Sequence, residues 1–135
     1  FTLTFYFAGC SHGCKGCFSK NTWNYDSGTD YTLETIKNMI LNSRWKNVTF
    51  LGGDPLFEKN REEVLELIHF IKENTNKKIY LWTGFLKEDV EKWIDVKLID
   101  YLIDGRFEIE KKDLRLRLRG SSNQRVFKNG IEIEV

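Results

Sequence analysis

The sequence predicts an α/β domain on a mostly parallel sheet, and three observations carry that reading. Strand-like and helix-like segments alternate from Thr2 to Ile103 in the order β, α, β, α, β, α, β. The segments that break the pattern each follow a strand-like run. A chain of 135 residues is the size of one domain, and its 41% hydrophobic and 14% aromatic content is enough for a single core.

Thr2 to Ala8 (TLTFYFA) alternates and is β-rich, which predicts the first strand. A long polar segment, Gly9 to Asp30, follows; loops of this length in compact domains are usually functional. Thr32 can cap a helix with Glu34 in its first turn and Leu33, Ile36, Met39 and Ile40 as its apolar face. Asn47 to Leu51 (NVTFL) is the second strand, ending in Gly52-Gly53-Asp54-Pro55. Asn60 with Glu63 three residues on reads as a capping box, and Val64, Leu67, Ile68 and Ile71 give the helix a buried stripe. Lys78 to Thr83 (KIYLWT) is the third strand, broken by Gly84. Glu88 to Asp95 is a short helix, and Lys97 to Ile103 contains the fourth strand, ending at Asp104-Gly105. Leu114 to Arg119 alternates Leu and Arg, as a strand with a solvated basic face or as part of a site. Ile131 to Val135 (IEIEV) is a last alternating run.

In parallel α/β architectures ligands sit beyond the C-terminal ends of the strands. The polar loop, Gly52-Gly53-Asp54-Pro55, Thr83-Gly84 and Asp104-Gly105 each follow a strand, so all four are expected on one rim.

Composition narrows the function. The net charge of +1 argues against a protein that binds nucleic acid chiefly by charge. A single proline argues against disorder, and no apolar run approaches the roughly 20 residues that span a bilayer. The chain opens at Phe1 inside an apolar run, so some native N-terminal residues are expected to be missing; no signal peptide is recognisable. All three cysteines, Cys10, Cys14 and Cys17, fall within the first 17 residues. An odd, clustered set is no disulfide framework and points to a cytoplasmic chain holding a metal. Three thiolates leave one iron of a four-iron cluster without a protein ligand. Zinc with His12 as a fourth ligand, or three unrelated thiols, are the alternatives.

The run Cys10-Ser11-His12-Gly13-Cys14-Lys15-Gly16-Cys17 resembles the Cys-x3-Cys-x2-Cys signature of the radical S-adenosylmethionine enzymes. The wider string AGCSHGCKGCFSKNTW, with LGGDPLF, LWTGF, LIDGRFE and LRLRGSSNQR in order after it, resembles the activating enzymes of anaerobic (class III) ribonucleotide reductase. The likeness runs from about Phe5 to Val126. It implies a single radical S-adenosylmethionine domain over 1–135, a small incomplete TIM-type (β/α) barrel whose open side faces a partner. It implies a 4Fe-4S cluster on Cys10, Cys14 and Cys17, with the methionine end of S-adenosylmethionine chelating the fourth iron. Reductive cleavage of that cofactor gives methionine and a 5′-deoxyadenosyl radical, which takes a hydrogen atom from a glycine of the reductase large subunit. A small flavodoxin or ferredoxin-like protein is the expected electron donor.

The superfamily commonly has an aromatic residue just before the last cysteine. Here Gly16 stands there, as in the ribonucleotide reductase branch, with Phe18 just after Cys17, so the adenine contact is expected from backbone around Gly16 to Phe18. Gly52 and Gly53 let the backbone approach a ligand, and Asp54, where relatives tend to have Glu, offers a carboxylate to a cationic amino group. Thr83 and Asp104 end the next two strands as cofactor contacts or turn caps, and Trp82 and Trp93 read as core. His69 lies off its helix's apolar stripe and is expected in solvent. Arg119, leading into Gly120 to Arg125 with Asn123, is a candidate partner for the methionine carboxylate or for the reductase. Two rival readings remain at this point. One is a radical enzyme acting on another glycyl-radical partner or a small molecule. The other is a zinc module contacting nucleic acid through Lys111, Lys112, Arg115, Arg117, Arg119 and Arg125.

Overall fold

The computed structural model describes residues 2–7 and 31–134. Six strands form one open sheet in the order β1 (Thr2–Phe7), β2 (Asn47–Gly52), β3 (Lys78–Trp82), β4 (Tyr101–Asp104), β5 (Arg125–Lys128) and β6 (Ile131–Ile133). β1 to β4 are parallel neighbours in chain order; β5 and β6 are antiparallel. The sheet is therefore mixed and does not close on itself. Its last unit is a hairpin because Asn129-Gly130 takes φ of 50° and 85°, the left-handed pair a two-residue turn requires.

Among the described residues, three α-helices lie between the parallel strands: α1 (Leu33–Asn42), α2 (Glu58–Asn74) and α3 (Lys87–Val90). Crossovers between successive parallel neighbours share one hand, which places these helices on one face of the sheet. The core confirms this: Ile36 and Ile40 of α1, Val64, Leu67, Ile68 and Ile71 of α2, and Val90 of α3 pack with Val48, Phe50, Ile79, Leu81 and Leu102 of the strands. Alternation sends the intervening side chains to the other face. There Tyr80 stacks on Tyr101 at 4.6 Å and on Trp82 at 6.4 Å.

Thr32 caps α1 as expected, its hydroxyl accepting from the Thr35 amide at 3.2 Å. Met39 of the expected apolar face is instead exposed. The capping box at Asn60 is not formed. α2 starts at Glu58 after Phe57, because Asp54-Pro55 sets a turn whose Phe57 amide returns to the Asp54 carbonyl at 3.1 Å, so the chain is already helical at Asn60. The helix expected over 88–95 is the single turn of α3, and the start of the expected 97–103 strand is a 3-10 turn, Val96–Leu98, capped by Asp95. Leu114 to Arg119 is not a strand. Leu118 has φ 68°, and the stretch curls back on itself with no neighbouring strand to pair it. No helix among the described residues is long and apolar enough to cross a membrane.

Candidate functional site

Parallel pairing brings the C-terminal ends of β1 to β4 to one rim, as the order of elements predicts. Residues 8–30, with Cys10, Cys14, Cys17, Gly16 and Phe18, lie outside the described residues. What is described is the platform from which they depart. Phe7, the last residue of β1, is gripped by the glycine pair of β2. The Gly53 amide donates to the Phe7 carbonyl at 2.7 Å. Gly52 sits at φ 118°, and a Cβ there would fall 2.5 Å from the Phe7 nitrogen and 2.8 Å from its oxygen. The close approach that demands glycine is thus to the strand that launches the cysteine loop.

Asp54 is buried, 1% exposed. Its Oδ1 accepts from the Leu56 amide at 2.9 Å, its two oxygens accept from the Thr83 hydroxyl at 2.9 and 3.1 Å, and Oδ2 accepts from the Gly84 amide at 2.9 Å. Thr83 in turn accepts from the Phe85 amide at 3.2 Å. One carboxylate therefore ties the turn after β2 to the turn after β3. These bonds to a charged acceptor are stronger than neutral ones. The short aspartate side chain is what reaches both its own Asx turn and Thr83.

Asp104, fully buried, does the same one strand further on. Its oxygens accept from the Lys87 amide at 2.7 Å and from the Arg125 guanidinium at 2.6 and 3.2 Å. Arg125 also pairs with Glu88 at 2.7 Å. Two carboxylates raise the Arg125 pKa, Asp104 contributing first. The hydrogen bond from Arg125 holds the Glu88 carboxyl below its ordinary value. Arg125 and Glu88 carry no local sequence signal. Their partners lie 21 and 37 residues away in the chain, and only the β4–β5 pairing brings them together.

The face opposite α1 to α3 carries a different set. Trp82 is not core: its indole N–H donates to the Leu118 carbonyl at 2.7 Å, pinning the loop between β4 and β5 over β3. The next residue, Arg119, donates from Nη1 to the Gln124 carbonyl at 3.1 Å, while its buried Nε has no partner among the described residues. Buried orphan donors of this kind mark a place where an acceptor belongs. Asn123 spends its amide within the loop, donating to the Arg106 carbonyl at 2.8 Å and accepting from the Ser121 hydroxyl at 2.6 Å. Gln124, which sequence reasoning passed over, accepts the amides of Gly120 and Ser121 and donates to the Gly105 carbonyl. Trp93 packs against the core under Arg61, whose guanidinium is 3.7 Å from its ring centre, and His69 is exposed, both as expected.

The structure thus brings Gly52, Gly53, Asp54 and Thr83 together and sets Asp104 one strand away. Arg119 and Asn123 belong to the loop on the other face. Among the described residues no group of three His, Cys, Asp or Glu comes together to hold a metal ion.

Residues 1–127 match the family model described as a 4Fe-4S single cluster domain. The anaerobic ribonucleoside-triphosphate reductase-activating protein of Enterobacteria phage T4 is 37% identical over 131 residues, covering 94% of this chain and 83% of its own. Proteins of the same name from Vibrio cholerae and Escherichia coli are each 36% identical over 129 and 130 residues, covering 90% of this chain and 83% and 84% of theirs. No solved structure matches. A cysteine triplet launched from a glycine-gripped strand, in a chain alike to these proteins along nearly its whole length, places it: the chain belongs to the 4Fe-4S single cluster domain family and, within it, to the anaerobic ribonucleoside-triphosphate reductase-activating proteins.

Proposed function

We propose that the chain is a radical S-adenosylmethionine activase that generates the glycyl radical on the large subunit of anaerobic ribonucleotide reductase. The observation that carries this is the three-cysteine loop in a chain 36–37% identical over 90% or more of its length to proteins named for activating that reductase. Cys10, Cys14 and Cys17 would hold three irons of a 4Fe-4S cluster and leave the fourth for the cofactor's amino and carboxylate groups; the three thiolates match that count, whereas a tetrahedral zinc site would need His12 as its fourth ligand. When bound, the cluster supplies the electron for cleaving the sulfonium carbon–sulfur bond of S-adenosylmethionine.

The chain's own residues divide the remaining work. Gly52 and Gly53 fix where the chain leaves β1, through the Gly53 amide on the Phe7 carbonyl and the close approach at Gly52. Asp54, Thr83 and Asp104 brace the strand ends from which the rim loops depart. Arg119, whose buried Nε has no partner among the described residues, would anchor the methionine carboxylate, and Asn123 holds the Arg119 loop in shape. Backbone from Gly16 to Phe18 would supply the adenine contact. In this reading the arc of four parallel strands is an incomplete TIM-type barrel within a single cytoplasmic domain, reduced by a flavodoxin or ferredoxin-like donor. A barrel that does not close suits a substrate that is a loop of another protein.

The test is electron paramagnetic resonance after anaerobic mixing of the iron-reconstituted chain with reductase, dithionite and S-adenosylmethionine. A glycyl radical on the reductase is expected, lost with Cys14→Ala. One zinc per chain in place of about four irons would overturn the reading.

A further inference from the structure

We propose that the loop between β4 and β5 is the surface that seats the reductase, and that it fits an acidic patch there with an apolar recess. This rests on the activase reading above.

The base of the loop is closed and tied down. Gln124 bridges to Gly105, Asn123 bridges to Arg106, the Ser122 amide returns to the Lys111 carbonyl at 2.9 Å, and Trp82 holds Leu118 from below. Such a compact loop, its ends fastened together, presents its tip as a fixed surface. The tip is built against solvation: Leu114 is 82% exposed, with the exposed arginines Arg115 and Arg117 on either side of Leu116. Arg115 is matched by Asp113 within the loop. Arg117 has no ion-pair partner among the described residues.

Charge is concentrated here. Residues 106–119 hold six cations against three carboxylates, a surplus of three in a chain whose net charge is +1, so the remainder of the molecule is net negative. A local basic surface around an exposed leucine steers toward carboxylates and buries its apolar centre on contact. It is also in the right place. The loop leaves the C-terminal end of β4, and the cysteine loop leaves that of β1, three strands away in the same sheet. At about 4.8 Å per strand the two exits are ~15 Å apart, within the footprint of one protein partner. A reaction whose target is a backbone glycine of another protein needs such a partner held beside the rim.

The experiment uses the full iron-reconstituted chain and the reductase, with Leu114→Asp and Arg117→Glu as separate variants. Neither residue belongs to the proposed cofactor site, so dithionite-driven cleavage of S-adenosylmethionine without reductase is expected at the wild-type rate in both, which also shows that both fold. Titration calorimetry against the reductase is expected to show at least tenfold weaker binding for each variant. Wild-type binding is expected to weaken as salt rises, and glycyl radical yield at limiting activase to fall in parallel. Wild-type affinity in both variants would overturn the proposal. So would a loss confined to reduction by a flavodoxin, with reductase binding intact, since that assigns the surface to the electron donor. A wild-type chain that binds the reductase but cleaves no S-adenosylmethionine would overturn the activase reading instead.

Discussion

Replacing Gly52 with alanine tests the claim that the glycine pair of β2 fixes the base of the cysteine loop. Two costs arise and can be separated. The first is conformational: φ of 118° is a region L-residues rarely adopt, worth about 1–3 kcal/mol. The second is steric: the new Cβ would lie 2.5 Å from the Phe7 nitrogen and 3.0 Å from the Tyr6 carbonyl carbon, both backbone atoms of a paired strand. Relieving that overlap means shifting β1 against β2, an overpacking cost of about 1–3 kcal/mol. Gly105 supplies the control. It has φ 91°, yet a Cβ there meets nothing nearer than 3.8 Å, so Gly105→Ala carries the conformational cost alone. Urea unfolding of the metal-free chain is expected to show about 4 kcal/mol lost for Gly52→Ala and about 2 for Gly105→Ala, with unchanged dependence on denaturant. At ~0.3 kcal/mol per degree for a chain of this size, the first corresponds to roughly 13 °C in Tm. If the two variants unfold within ~0.5 kcal/mol of each other, β1 yields freely at Phe7 and the grip does not exist.

Three further outcomes follow from the same geometry. Thr83→Val removes the hydroxyl that donates to both Asp54 oxygens and is expected to cost about 2–3 kcal/mol in urea unfolding, while Thr83→Ser stays within ~1; a loss under ~0.5 for valine would mean that the Leu56 and Gly84 amides suffice. Arg125→Met leaves Asp104 buried without its guanidinium, for about 3–5 kcal/mol, and frees Glu88. Because Arg125 lowers the Glu88 pKa in the folded chain, that pair's contribution is complete above the ordinary carboxylate value near 4.5 and fades as pH falls through the depressed folded value. In Arg125→Met the Glu88 titration, followed by carboxyl carbon NMR, is expected to move up, and an unmoved curve contradicts the pairing. Arg119→Met is expected to weaken equilibrium binding of S-adenosylmethionine by roughly tenfold or more, and Arg119→Lys not to restore it, because the ammonium cannot reproduce the Nε position; wild-type affinity in both removes Arg119 from the cofactor site.

The alternation of elements was legible because each carries its own periodicity. The stripe Val64, Leu67, Ile68, Ile71 is buried as a unit, and Thr32 caps α1 through its own hydroxyl. Boundaries failed where a neighbouring turn overrode a local signal, as when Asp54-Pro55 starts α2 before Asn60. The alternating Leu114 to Arg119 stretch failed for the reason short strands often do: alternation gives a strand its two faces, but a strand also needs a neighbour to pair with. Asn129-Gly130, by contrast, is a strong local hairpin signal and explains why the sheet ends antiparallel.

The sequence by itself determined the family and the chemistry, because the cysteine spacing and the motif order lie along the chain and need no fold to be seen. It also determined the rim, since parallel units must turn at the same end. Only the tertiary structure decided which partners the rim residues hold. Asp54 and Asp104 looked alike as strand-end carboxylates, and their donors, Thr83, Gly84, Lys87 and Arg125, come from 17 to 30 residues away and meet them only in the folded sheet. Arg119, one of several arginines in an alternating run, is set apart by a buried Nε with no acceptor among the described residues, a fact of environment that no spacing encodes.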